Sequence, residues 1–155
     1  MDLSKLRSRL QEITSSDNID GHPLAIETLR VELPHTIRLV SLANPALPQN
    51  CFAWALALNH ELAHWVGECH LPDLFAGSKF VQELIPSLVH VPDDCATEGD
   101  LVLYFDREVP THAGLIKESE VISKWGRGHT YQHGQLEIPK ATATPSDFIE
   151  SRRAP

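Results

Sequence analysis

Pro48-Gln49-Asn50-Cys51-Phe52-Ala53-Trp54-Ala55-Leu56 decides the reading of this chain. A proline-bounded turn runs directly into a strong helix-forming stretch, which places a thiol at the first turn of a helix. Unpaired N–H groups and the positive end of the helix dipole favour a thiolate at such a position. Downstream, Gly99-Asp100-Leu101-Val102-Leu103-Tyr104-Phe105 reads as a strand and Thr111-His112-Ala113-Gly114-Leu115-Ile116 as a second. A cysteine at a helix start followed by a histidine on a core strand supplies a nucleophile and its base.

The elements around this stretch follow from periodicity and punctuation. Leu3, Leu6, Leu10 and Ile13 recur at helical spacing, so residues 2–14 are expected to form an amphipathic helix. Residues 24–42 allow two readings: Ala25, Ile26, Leu29 and Val31 fit a helix, and Thr36-Ile37-Arg38-Leu39-Val40 fits a strand. The Cys51 helix is apolar on most faces and is expected to run to about Trp65 as a buried element. Asp73 is a plausible N-cap for a helix through about Leu84. Strands are expected at 100–106, 112–117, 120–125 and 131–137, separated by Pro110, Glu118-Ser119 and Gly126-Arg127-Gly128. Helices first and a strand meander last predict a single α+β domain, with N-terminal helices packed on a C-terminal antiparallel sheet. Residues 1–47 form its helical segment, 48–139 its core, and 140–155 a tail rich in Ala, Thr, Ser and Pro that reads as a loosely held arm.

Charge narrows the function. A formal net charge of −8 over 155 residues argues against nucleic-acid binding, which needs a basic face. No apolar run approaches the ~20 residues of a membrane helix. The N-terminus lacks the apolar core of a signal peptide, so the expectation is cytoplasmic synthesis, or export by a route that reads no N-terminal signal. Three cysteines, Cys51, Cys69 and Cys95, do not read as a disulfide framework. The composition carries no signal of oligomeric state, and the expected partner is a peptide or protein substrate.

Thiol–imidazole chemistry also needs a group that orients the ring and donors that hold an oxyanion. If 112–117 and 120–125 form a hairpin, Ser123 is expected as the cross-strand neighbour of His112, with Lys124 on the opposite face. His129 and His133 are further candidates for the orienting role. The Cys51 backbone N–H and the side chain of Asn50 or Gln49 are the expected oxyanion donors.

A second constellation competes. His60-Glu61-Leu62-Ala63-His64-Trp65-Val66-Gly67-Glu68-Cys69-His70 matches H-E-x-x-H and its longer extension, in which His60, His64 and His70 would hold zinc and Glu61 would act as base. Three features oppose this reading. That motif expects a methionine turn beneath the metal, and the only methionine is Met1. It expects a sheet before the helix, whereas the clear strands here come after it. The upstream chain is short and broken by prolines. The reading adopted therefore has no metal and no cofactor, with a zinc metalloprotease as the alternative.

The blocks Asn50-Cys51-Phe52-Ala53-Trp54-Ala55-Leu56, Gly99-Asp100-Leu101-Val102-Leu103-Tyr104-Phe105, Pro110-Thr111-His112-Ala113-Gly114-Leu115-Ile116, Ser123-Lys124-Trp125-Gly126 and Tyr131-Gln132-His133, in this order, resemble the NlpC-like branch of the papain-fold cysteine peptidases. They look closest to a bacterial subgroup with N-C-x-A-W-A-L, T-H-A and S-K-W-G blocks. The resemblance covers residues 48–139. It implies a papain-like fold and a cysteine hydrolase, peptidase or amidase, with Cys51 as nucleophile and His112 as base. The family's third position is commonly His, Asn, Gln or Asp. Here Ser123 stands there, a weaker orienter of imidazole, with His133 on the following strand as the substitute. A catalytically degenerate interaction module on the same fold is the remaining alternative.

Overall fold

The computed structural model describes residues 2–46, 49–58, 77–140 and 149–153. Helices α1 (Leu3–Thr14) and α2 (His22–Glu32) come first, then strand β1 (Arg38–Ser41) and helices α3 (Cys51–Leu58) and α4 (Ser78–Leu84). Among the described residues six strands follow: β2 (Val89–Val91), β3 (Leu101–Asp106), β4 (Val109–Lys117), β5 (Glu120–Lys124), β6 (Thr130–His133) and β7 (Ile149–Arg153). All seven strands join one sheet in the order β1-β6-β5-β4-β3-β7-β2, with every pair antiparallel. This is the α+β class expected from the sequence.

Strand alternation divides the core into two faces. Leu101, Leu103, Phe105 and Ala113 meet Phe52, Ala55 and Leu56 of α3 and Val81 and Leu84 of α4. Val102 and Tyr104 point the other way, beside Val121 and Ile138. Farther along, Trp125 and Tyr131 pack on Leu6 and Leu10 of α1 and Ile26 and Leu29 of α2. The helical stripe Leu3-Leu6-Leu10-Ile13 forms as expected, with Asp2 accepting from the Lys5 N–H at 3.0 Å as its cap.

Several boundaries differ from expectation. The ambiguous stretch 24–42 holds both readings in series: α2 first, then β1. The helix that contains Leu84 starts at Ser78, because Gly77 is extended with φ −87° and ψ 166°. The predicted cap Asp73 and the part of the Cys51 helix beyond Leu58 lie outside the described residues. β4 starts at Val109 and accommodates Pro110 through a register shift opposite Tyr104 and Phe105. β6 stops at His133 rather than reaching residue 137.

The largest correction is at the C-terminal end. Residues 149–153 are not a loose arm. They form β7, between β3 and β2, with Ser151 paired to both Val102 and Val91. Arg153 binds Asp100 through both carboxylate oxygens, the Nε contact measuring 2.8 Å. Burial by itself would raise the Asp100 carboxyl, but the Arg153 and Thr97 hydrogen bonds outweigh it and hold the group below its ordinary value. A strand with three charged residues in five lacks apolar alternation; Glu150 and Arg152 pair within it, and Arg153 is matched by Asp100, distant in sequence.

Candidate functional site

Asn50 builds the tip of α3. Its carboxamide oxygen accepts from the Ala53 N–H at 2.9 Å, and its carbonyl accepts from the Trp54 N–H at 3.0 Å. Asn50 is thus the N-cap that defines where the helix begins. The cap uses the carboxamide oxygen, whereas the oxyanion role expected from the sequence would use the carboxamide NH2, which the cap does not engage. Gln49, the other expected donor, is half-buried beside it.

Cys51 follows as the first helical residue, 7% exposed, and its sulfur lies against β4. The N–H groups of Ala113, Phe52 and Cys51 itself are directed at the sulfur. They favour the thiolate, but burial is the larger influence and pushes the thiol up to about 11. The depressed thiol expected from a helix start is therefore reversed. His112, 3% exposed, is held well below its ordinary value, at about 3, by burial first and by the neighbouring His133 second. Near neutral pH both Cys51 and His112 are uncharged.

Cys51 and His112 both line one cleft of about 550 Å³, with Ala113 facing α3 and the His112 ring turned by strand alternation to the Tyr104 face. Thr111 and Trp125 flank them, and the end of α1 together with the 125–128 turn forms the walls. The turn is closed by the Gly128 N–H on the Trp125 carbonyl at 2.9 Å and by the Lys124 ammonium on the Gly128 carbonyl. Gly126 takes φ +59°, a left-handed conformation that suits glycine.

The group behind the His112 ring is not where the sequence predicts it. Ser123 pairs with Gly114, two residues beyond His112 along β4. It shares the face of His112 but sits diagonal to it. The Ser123 hydroxyl is engaged elsewhere: it lies 2.7 Å from His133 Nε2 and accepts from the Trp125 indole N–H at 3.0 Å. His133 Nδ1 donates to the Gly134 carbonyl at 2.8 Å, so Nε2 carries the lone pair and Ser123 donates to it. Burial holds His133 down at about 4. His112 Nε2 is buried with no hydrogen-bond partner. Its ring instead lies 5.4 Å from that of Tyr104, its cross-strand neighbour.

Gly114 makes this crowding feasible. A Cβ there would fall 2.5 Å from Val121 Cγ1, 2.7 Å from the Ile122 carbonyl oxygen and 3.0 Å from Ser123 Cβ. The missing side chain lets β5 close over β4 beside the site.

His129, another candidate orienter, is a structural clip: Nδ1 accepts from the Ala43 N–H at 2.7 Å and Nε2 donates to the Ile19 carbonyl at 2.8 Å. The rival metal set His60, Glu61, His64 and His70 lies outside the described residues. Among the described residues no group of three His, Cys, Asp or Glu side chains is arranged to hold a metal, and no helix is long and apolar enough to cross a membrane.

Sequence reasoning missed the α1 side of the cleft, where Gln11, Thr14, Ser15, Ser16 and His22 line it. The only local signal was the polar run that ends the α1 stripe, which reads as a helix stop. No protein-family model, curated protein or solved structure matches this chain.

Proposed function

We propose that the protein is a cysteine hydrolase, a peptidase or amidase on a papain-like fold, with Cys51 as nucleophile and His112 as base. One observation supports the reading: Cys51 at the helix tip and the buried His112 are both lining residues of one cleft, and the N–H of the residue after His112 is directed at the Cys51 sulfur.

The neutral state of both groups shapes the mechanism. His112 takes the thiol proton as the sulfur attacks the amide carbonyl, rather than holding a ready-made thiolate. The sulfur–carbon bond forms, the carbonyl electrons move to oxygen, and the backbone N–H groups of the α3 tip stabilise that oxygen. The imidazolium returns its proton to the leaving amine as the carbon–nitrogen bond breaks. Water, deprotonated by His112, then cleaves the thioester.

The test is turnover of a panel of peptide amides, read by release of free amine. The proposal expects Cys51→Ala to abolish turnover and His112→Ala to lower it about 10²–10⁴-fold. Turnover retained in Cys51→Ala would overturn it.

A catalytically degenerate module is the second reading. The unpartnered His112 Nε2 favours it, because an imidazolium formed there has no acceptor. That reading predicts no turnover in the wild-type protein with any member of the panel.

A further inference from the structure

Ser123 and His133 fit neither the orienting role nor ordinary core packing. Both are fully buried and polar, and they are hydrogen-bonded to each other. Their connections lead away from His112. On one side His133 binds the Gly134 carbonyl, and the Gly134 N–H binds the Glu137 carboxylate at 3.0 Å. That carboxylate also accepts from the Thr36 N–H at 3.0 Å and the Thr36 hydroxyl at 2.6 Å, which ties the chain after β6 to the segment before β1. On the other side the Ser123 hydroxyl receives the Trp125 indole N–H. Trp125 stacks on Tyr131 at 4.5 Å between ring centres, lies 5.6 Å from His133, and lines the cleft beside His112.

We propose that Ser123 and His133 are positioning residues that hold the Trp125 indole as a wall of the Cys51 cleft, so that they select the shape of the acyl group reaching the sulfur. An indole is rigid and apolar, and its N–H has one direction in which to donate. A hydroxyl that itself donates to a fixed imidazole lone pair can accept in only a narrow range of directions. The relay therefore fixes the rotation of the ring as well as its depth. Opposite it, Thr14, Ser15 and Ser16 at the end of α1 line the cleft, their hydroxyls engaged by the Leu10 carbonyl, the Gln11 carboxamide and the Asn18 N–H. The indole is thus the flat apolar side of the cleft, suited to an acyl group whose carbon skeleton lies on it.

This inference rests on the proposed role of Cys51 but is tested without turnover. The full-length protein is alkylated at pH 8 with N-methylmaleimide and, separately, with the bulkier N-phenylmaleimide, each rate being taken relative to that with a free thiol, and the Cys51 peptide is quantified by mass spectrometry. In the wild-type protein Cys51 is expected to react with the small reagent in preference to the large one. Ser123→Ala is expected to raise the large-to-small rate ratio about fivefold, since loss of one buried hydrogen bond is on the order of 1 kcal/mol. Trp125→Phe, which keeps a ring but removes the N–H, is expected to do the same. In a Trp125→Phe background Ser123→Ala is expected to add nothing. General loosening of the fold also raises the ratio, but it does so additively in the double variant; a wild-type ratio in Ser123→Ala, or additive effects in the double variant, would overturn the proposal. Should Ser123→Ala not fold, the ratio in Trp125→Phe decides the matter alone. Absence of peptide turnover leaves these ratios as they are, so failure of the hydrolase reading is distinguishable from failure of this one.

Discussion

At Cys51 two influences oppose each other. The helix start and three backbone N–H groups favour a thiolate, and burial favours the thiol; burial prevails, at about 11. Alkylation of Cys51 by iodoacetamide is therefore expected to climb steadily from pH 7 to pH 10, with no plateau near neutrality; a plateau below pH 8 would contradict the neutral resting state. The opposed influences also mark what the sequence can disclose. The local blocks around Cys51 and His112 singled out two residues that line one cleft. The direction of the thiol shift was not legible there, because desolvation depends on atoms that the fold brings in from β4. Gly114 gives a second prediction. Replacement by Ala forces contacts with Val121 and the Ile122 backbone, and overpacking of this kind costs about 1–3 kcal/mol. A thermal melt of Gly114→Ala is expected to shift down by several degrees, and an unchanged melt would show that β4 and β5 separate easily at the site.

Each element carries its own share. The α3 tip depends on Asn50, and Asn50→Ala is expected to cost about 1 kcal/mol in urea unfolding. Asn50→Asp, which keeps the accepting oxygen, should recover most of that loss, and equal loss in both variants would remove the capping role. At the opposite end of the sheet, β7 is held partly by Arg153 on Asp100, whose side chain is 6% exposed. Arg153→Ala leaves that carboxylate without its cation and is expected to cost about 1–2 kcal/mol, discounted because the arginine is itself 41% exposed. Elements with strong local periodicity, such as α1 and β3, were legible in the sequence to within a residue or two. β7 was not, because its pattern Ile149-Glu150-Ser151-Arg152-Arg153 reads as polar tail until Glu150 and Asp100 are seen to meet its arginines. Ser123 failed for a related reason. Hairpin arithmetic gave the right face, but the positive φ of Glu118 and Ser119 sets a two-residue turn whose register pairs Ser123 with Gly114.

For the molecule as a whole, two buried neutral histidines set the acid limit of stability. Both His112 and His133 lie below the ordinary histidine value of 6.5 in the folded chain, at about 3 and about 4. The unfolded chain therefore binds protons first as pH falls. The stability these groups contribute is fully present above about pH 6.5 and is lost as pH drops toward 3, by on the order of several kcal/mol. Unfolding free energy is expected to fall between pH 6.5 and pH 4, and His133→Gln should flatten that slope; a pH-independent value across the window would contradict the buried neutral state. The same seclusion keeps His112 unprotonated at physiological pH but also makes it a weak base for the Cys51 thiol, so the burial that stabilises the fold opposes its proposed chemistry. The most direct measurement of that chemistry is acyl transfer from an activated amino-acid ester to the protein, followed by intact mass and peptide mapping. The account predicts one acyl group on Cys51, formed at least about 100-fold more slowly in His112→Ala. Acylation that maps to another residue, or that proceeds at the same rate without the imidazole, would contradict it.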